Sequence, residues 1–263
     1  MPERQTKPAR RGALAFSVRR WLMAAAALLV LLCCLGYAGV RESSDPRFAV
    51  TIAAISGISH TTRSQVIEAA ALPPGQNAWL IDRRAISARI ARLPWVEAAR
   101  LSVRWPNRLH IEVTERKPVA FVVLAGNGEE PLPRYALIDD SQRVLRVSDQ
   151  RGETETLPLL LVTPPPLAAI RAGSSLGSHD VSQALQALQR LRALGLQVSQ
   201  VAIAPATGIS ALADRNLRVL FGEDADLAKK AAVFQAIVAK ISEPDRVAYI
   251  DVRSVRTPTV LYR

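Results

Sequence analysis

The sequence predicts an α+β protein hung from one N-terminal transmembrane helix. A β-α-α-β-β unit comes first, then a second, mixed β-rich unit with two helices. Three observations predict this. Residues 21–40, WLMAAAALLVLLCCLGYAGV, carry no charge. Between residues 47 and 116, two short apolar stripes of helical period sit among period-2 segments. After Lys117-Pro118 the pattern turns into short apolar strands punctuated by two longer helical stripes. The chain has 263 residues, 49% hydrophobic and 22% charged, which is too apolar for a disordered chain.

At 1.5 Å per residue the uncharged run makes about 30 Å of helix, one hydrocarbon thickness. Before it stand Arg4, Lys7, Arg10, Arg11, Arg19 and Arg20 against a lone acid, Glu3. Much of the formal charge of +11 is therefore a cytoplasmic tail, residues 1–20, and a nucleic-acid-binding surface is not implied. A cleaved signal peptide has a shorter apolar core and a small-x-small site. GYAGVRESS offers no clear one, so the expectation is an uncleaved anchor with everything after Arg41 exported. Cys33 and Cys34 lie inside this helix, and residues 41–263 contain no cysteine. Neither a disulfide framework nor a four-cysteine zinc site is available.

In the first exported unit, 47–116, FAVTIAAI (48–55) alternates and predicts a strand. Thr62 or Ser64 caps SQVIEAAAL, which stops before Pro73-Pro74. A second helix, about 83–93, carries Ile86, Ile90 and Leu93 on one stripe and ends at Pro94. AARLSVRW and RLHIEVTER form a hairpin around Pro106-Asn107, with Leu109, Ile111 and Val113 on one face and His110, Glu112 and Thr114 on the other.

In the second unit, 117–263, PVAFVVLA predicts a strand, and RYALIDD with RVLRVS a hairpin turning at 139–142. The stretch 157–178 is rich in Pro, Gly and Ser and reads as a surface loop. Asp180 caps a helix whose stripe is Val181, Leu185, Leu188 and Leu191 or Leu194, and Gly195 ends it. Strands follow at 197–203, 209–213 and 216–221. Glu223, Asp224 and Asp226 open a helix to Ile241, with Leu227, Ala231, Phe234, Ile237 or Val238, and Ile241 on its core face. RVAYIDV and TVLYR are terminal strands, and nothing after them in the sequence would cover the last edge.

Chemistry-bearing patterns are sparse. His60, His110 and His179 show no zinc spacing. His110 and Glu112 read as a solvated strand face. Ser178-His179-Asp180 are consecutive, which is not triad geometry. Asp139-Asp140 reads as a turn. No phosphate loop, dinucleotide fingerprint or nucleophile elbow occurs. No catalytic, cofactor or metal site is expected, and no small-molecule substrate. Arg83, Arg84, Arg89, Arg92, Arg100, Arg104 and Arg108 make the first unit basic. A solvated face explains them; acidic partners or anionic headgroups would too.

FAVTIAAISG, GQNAWLID and RLPWVEAARLSVRWPNRLHIEVTERKPVAF resemble the POTRA domain of the bacterial division family FtsQ/DivIB. LIDDSQRVL, LPLL, LRVLFGEDADLAKKAAVF and YIDVRSVRTPTV resemble that family's second domain. Ser141-Gln142 replaces the family's turn glycine, and Ser254 to Pro258 replaces its tighter turn between the last two strands. The resemblance implies a non-enzymatic division scaffold in the cell inner membrane, single-pass with its N-terminus cytoplasmic, at the septum. It implies partners such as FtsB and FtsL, and through them the septal peptidoglycan synthases. Carried over, the partner-binding surface falls on Tyr249, Arg253, Ser254, Val260 and Tyr262, with strand addition at the last edge as the physical route. Alternation would put Tyr249, Asp251 and Arg253 on one face and Ile250 and Val252 on the other. The alternative is a POTRA-containing transport or assembly factor of the envelope.

Overall fold

The structure, a computed structural model, describes residues 21, 23–34, 37, 46–78, 80–125, 134–152, 156–166 and 170–263. The expected cytoplasmic tail, 1–20, lies outside the described residues. So does part of the expected membrane span. Its described residues 21, 23–34 and 37 are helical and exposed. Among the described residues, no helix is long and apolar enough to cross a membrane.

By the density of its contacts the chain divides into two compact units. One holds residues 1–56, 71–84 and 100–112, the other 57–70, 85–99 and 113–263.

The β-α-α-β-β order is observed. It comprises β1 (Thr51–Ser56), α1 (Arg63–Ala70), α2 (Arg83–Ile90), β2 (Val96–Arg104) and β3 (Arg108–Glu115). The three strands form a sheet in the order β1-β3-β2, with β1 parallel to β3. The first strand starts later than its sequence suggests, because Pro46–Phe48 takes a 3-10 turn. Thr62 caps α1 reciprocally with Gln65. The Gln65 N–H donates to Thr62 Oγ1 at 3.3 Å, and the Thr62 N–H donates to Gln65 Oε1 at 2.9 Å, a capping box. Val66, Ala70, Ile86, Ile90, Val96, Leu109, Ile111 and Val113 are all buried, as their periodicity requires.

The remaining strands are β4 (Ala120–Leu124), β5 (Arg134–Ile138), β6 (Val144–Ser148), β7 (Leu159–Val162), β8 (Val198–Ala204), β9 (Gly208–Ala213), β10 (Leu217–Gly222), β11 (Val247–Asp251) and β12 (Thr259–Tyr262). They build one nine-stranded sheet in the order β12-β11-β10-β9-β8-β7-β4-β5-β6. Two helices, α3 (His179–Ala193) and α4 (Leu227–Val238), accompany it. Val181, Leu185, Leu188 and Leu191 of α3 and Leu227, Ala231, Phe234 and Val238 of α4 enter one apolar core with the sheet. Phe234 meets Phe221 of β10 edge to face, ring centroids 6.3 Å apart. A smaller cluster, Phe121, Leu137 and Leu145, takes in Trp95.

Three expectations are corrected. The stretch 157–178 is not simply a surface loop. Its Leu159–Val162 is β7, parallel to both β4 and β8 in the middle of the sheet. A strand covered on both faces needs no alternation, so LLLV between prolines hides its role. The helix after β10 does not begin at its acids. Asp226 sits at its N-cap in the left-handed region with no side-chain cap bond, and no acid lies in the first turn. The helix also ends at Val238, short of Ile241. Finally, Ser178 rather than Asp180 caps α3, its Oγ accepting the Val181 N–H.

Candidate functional site: the open edge of the large sheet

The last two strands owe their place to an apolar alternation. Val247, Ile250 and Val252 are buried in the main core. β11 runs parallel to β10 through Val219↔Ile250 and Leu220↔Asp251, and the Val252 N–H continues the ladder to Leu220 O at 3.0 Å. β12 returns antiparallel with Asp251↔Thr259, Ile250↔Val260 and Tyr249↔Leu261. It then slips to Val247↔Tyr262 past an irregularity. The Arg263 N–H still reaches Arg246 O at 2.7 Å. β12 therefore has a strand neighbour on one side only.

Residues opposite each other in an antiparallel pair share a face. Tyr249, Asp251, Thr259 and Leu261 share one, and Ile250 and Val260 the other. Val260 packs half-buried against the core. Leu261 is 46% and Tyr262 58% exposed. Ile250 and Val252 point inward while Arg253 is exposed, the alternation expected from the sequence. Tyr249 is half-buried and faces Leu261, and the slip beyond it sends Tyr262 opposite Val247. Sequence reasoning passed over Leu261. Its signal was its position two residues from Thr259 on an apolar strand.

Arg253 is engaged within the chain. Its Nη2 donates to Asp251 Oδ2 at 2.6 Å and its Nε to Oδ1 at 3.1 Å, while its backbone N–H reaches Oδ1 at 2.9 Å. That guanidinium holds the Asp251 carboxyl below the ordinary range, and Asp251 raises Arg253 in turn. Ser254 Oγ accepts a hydrogen bond from Thr257 Oγ1 at 3.0 Å, which closes the connecting turn. A groove of about 660 Å³ opens beside this turn, lined by Thr207, Gly208, Gly222, Asp226, Arg253 and Arg256. Its floor requires glycine. Gly208 and Gly222 both have positive φ, and a Cβ on Gly208 would lie 2.4 Å from Gly222 O.

The opposite edge of the same sheet is covered where it begins. At the start of β6, the Val144 N–H donates to Ser174 O at 2.8 Å, and the Gly173 N–H donates to Val144 O at 2.7 Å. Arg143 and Ser175 form an antiparallel bridge. The hairpin into β6 turns on Asp139, 2% exposed, and on Gln142 in the left-handed region where a glycine would be expected. Asp139 accepts from the Ser141 N–H and hydroxyl, the Arg143 N–H and Arg116 Nη1, the last at 2.7 Å. Burial works to raise its pKa, but these donors win and lower it. The pair Asp139-Asp140 is thus a turn anchor, as its sequence suggested.

His60 and His179 find structural company, while His110 Nε2 is buried without a hydrogen-bond partner. The His60 ring stacks on Trp95, centroids 3.9 Å apart and planes 3° from parallel. Its Nδ1 lies 3.2 Å from Glu115 Oε2. His179 Nε2 meets the Gln183 amide of its own helix at 3.0 Å. Among the described residues, no group of three or more His, Cys, Asp or Glu side chains is placed to hold a metal ion.

Two family profiles match the chain. "POTRA domain, FtsQ-type" matches residues 48–116, and "Cell division protein FtsQ/DivIB, C-terminal" matches residues 131–253. The chain belongs to the FtsQ/DivIB family. Similar proteins carry the same name. "Cell division protein FtsQ" of Myxococcus fulvus is 35% identical over 127 residues, 48% of this chain and 42% of that one. Its counterpart in Zymomonas mobilis is 28% identical over 145 residues, 55% and 40%. That of Streptomyces griseus is 28% identical over 185 residues, 70% and 84%. The match to the first two spans about two fifths of their length. The FtsQ/DivIB C-terminal profile stops at residue 253, so β12 lies beyond it.

Proposed function

We propose that this FtsQ/DivIB chain is a non-catalytic scaffold of the division machinery. It is held in the cytoplasmic membrane by residues 21–40, with its N-terminus inside and two modules, 47–116 and 117–263, outside, and it gathers at the septum. It docks FtsB- and FtsL-type partners, and through them bears on the septal peptidoglycan synthases. The mechanism is strand addition along β12: a partner's strand takes up the outer N–H and C=O groups, and its side chains meet Leu261, Tyr249 and Tyr262. Arg253 and Ser254 shape the adjoining turn, and Val260 keys β12 to the core.

The observation that carries this reading is the asymmetry of the nine-stranded sheet. Its β6 edge is hydrogen-bonded to 173–175, while β12 is outermost and presents Leu261 and Tyr262 to solvent. Exposed apolar side chains on an open edge invite pairing. The test is a pull-down of FtsB from membranes with the full chain, with the chain cut after Pro258, and with Leu261→Glu. The truncation should abolish capture and Leu261→Glu should weaken it, while the circular dichroism spectrum holds. Undiminished capture by the truncated chain would remove β12 from the mechanism.

A further inference from the structure

The β1/β3/β2 sheet has one end where the chain arrives from its hydrophobic N-terminal stretch, and that end is built unlike the other. β1 and β3 are parallel, with Thr51 beside Arg108, and the Thr51 N–H donates to Asn107 O at 2.9 Å. The entry of β1 therefore abuts the β2–β3 turn. Residues 48–50 lie along 76–78, with the Val50 N–H on Gln76 O at 2.8 Å and the Ala78 N–H on Phe48 O at 2.9 Å. Two loops thus flank the point of entry. One presents Trp105, 58% exposed, and the other Leu80, 65% exposed. Arg47, Arg104 and Arg108 are exposed around them. Among the described residues, neither Arg104 nor Arg108 has a carboxylate partner. Asp82 is the acid on the Leu80 loop. At the other end of the β1/β3 pair, Ser56 stands opposite Glu112, and both are exposed.

An exposed indole and a leucine among arginines match a bilayer interface chemically. Trp rings settle at headgroup depth, arginine stems lie along apolar surface with the guanidinium toward phosphate, and basic clusters are drawn to anionic lipid. Reach agrees. Ten residues separate Val40 from Thr51, at most about 35 Å when fully extended. The geometry points to this sheet end, through Trp105, Leu80, Arg104 and Arg108, as a docking surface for anionic phospholipid headgroups of the membrane that holds the anchor. The inference rests on the anchor reading of residues 21–40 and is independent of what binds β12.

The test uses the full chain with Cys33→Ser and Cys34→Ser, carrying Asn107→Cys or, as control, Glu112→Cys. Each variant is labelled with a polarity-sensitive dye and placed in nanodiscs of phosphatidylcholine with or without phosphatidylglycerol. The 107 label should blue-shift in the phosphatidylglycerol discs and the 112 label should not. Salt of about 1 M, where the Debye length is about 3 Å, should reverse the shift, as should Arg104→Glu with Arg108→Glu. A chain that fails to enter the discs overturns the anchor reading. A chain that enters with equal 107 emission in both lipids overturns the lipid contact alone. So does a shift at 107 that only an added acidic peptide produces, which would make this surface a protein site.

Discussion

The two edges of the nine-stranded sheet have the same backbone and opposite treatment. β6 begins under residues 173–175, which take its outward N–H and C=O at Val144. β12 has β11 on one side and exposed Leu261 and Tyr262 along its length. Edges in stable proteins are shortened, charged or covered, because an uncovered one pairs with whatever strand it meets. The difference is the ground for proposing β12, rather than β6, as the edge that binds a partner strand.

The largest break in that comparison comes from Asp139→Ala. The change strips four donors of their acceptor and leaves Arg116, itself mostly buried, without its carboxylate. Removing one partner of a buried pair costs about 3–5 kcal/mol. Chemical denaturation should show a loss near the lower figure, since Arg116 keeps its Nε bond to Val96 O. At temperatures where the variant is folded, FtsB capture should be intact. A variant that keeps its stability but loses capture would reverse the roles assigned to the two edges.

Leu261→Glu is the complementary change. Its side chain is 46% exposed, so folding should move by about 0.5 kcal/mol or less. Placed centrally on a docked strand, a buried leucine is worth about 2 kcal/mol of binding, some thirtyfold in Kd. Denaturation and an affinity titration on the same preparation separate the two quantities. Equal losses in both would show that Leu261 belongs to the core rather than to an interface.

The acid-sensitive contact lies away from either edge. Glu115 accepts the N–H groups of His60 and Thr61, the latter at 2.8 Å, and lies beside the His60 ring. Burial works to raise its pKa, yet those backbone donors push it down to about 2 from an ordinary 4.5. The folded pKa is the lower one, so Glu115 contributes its full stability above about pH 4.5. That contribution drains as pH falls toward about 2. Glu115→Gln should cost about 1–2 kcal/mol at pH 7 and flatten the stability profile over that interval. Denaturant midpoints from pH 7 to pH 2 measure it. An unaltered slope in the variant would place the acid sensitivity elsewhere.

What was legible in the sequence depended on how local the signal was. Alternation in RLHIEVTER and in RVAYIDV and the stripe of α3 each act within a few residues, and those elements appear where the pattern puts them. β7 was illegible because a strand covered on both faces does not alternate, and its prolines spoke for a loop. The start of α4 was misread because three acids before a helix resemble a capped first turn, while the chain spends Asp226 on a left-handed turn instead. The His60–Trp95 stack joins residues 35 positions apart, and no spacing rule reaches that far. At the candidate site, the inward set Ile250 and Val252 followed from alternation. The slip that sets Tyr262 opposite Val247, and the clamp of Arg253 on Asp251, required coordinates.

The finest probe of the two edges is Gly173→Ala, at the cover itself. Gly173 has φ +89, and a Cβ there would have ordinary room, 3.6 Å from Pro94 Cγ. The cost is therefore backbone strain rather than collision, about 1 kcal/mol. That strain falls on the residue whose N–H holds Val144 O, so the segment over β6 should loosen before the sheet does. Hydrogen exchange at Val144 should quicken about fivefold, and sedimentation should reveal association that grows with concentration, as a second edge comes open. Adding Leu261→Glu should not suppress that association, because it uses β6. If it does, the copies are pairing through β12, and the cover over β6 is a packing detail with no part in keeping the chain from pairing with itself.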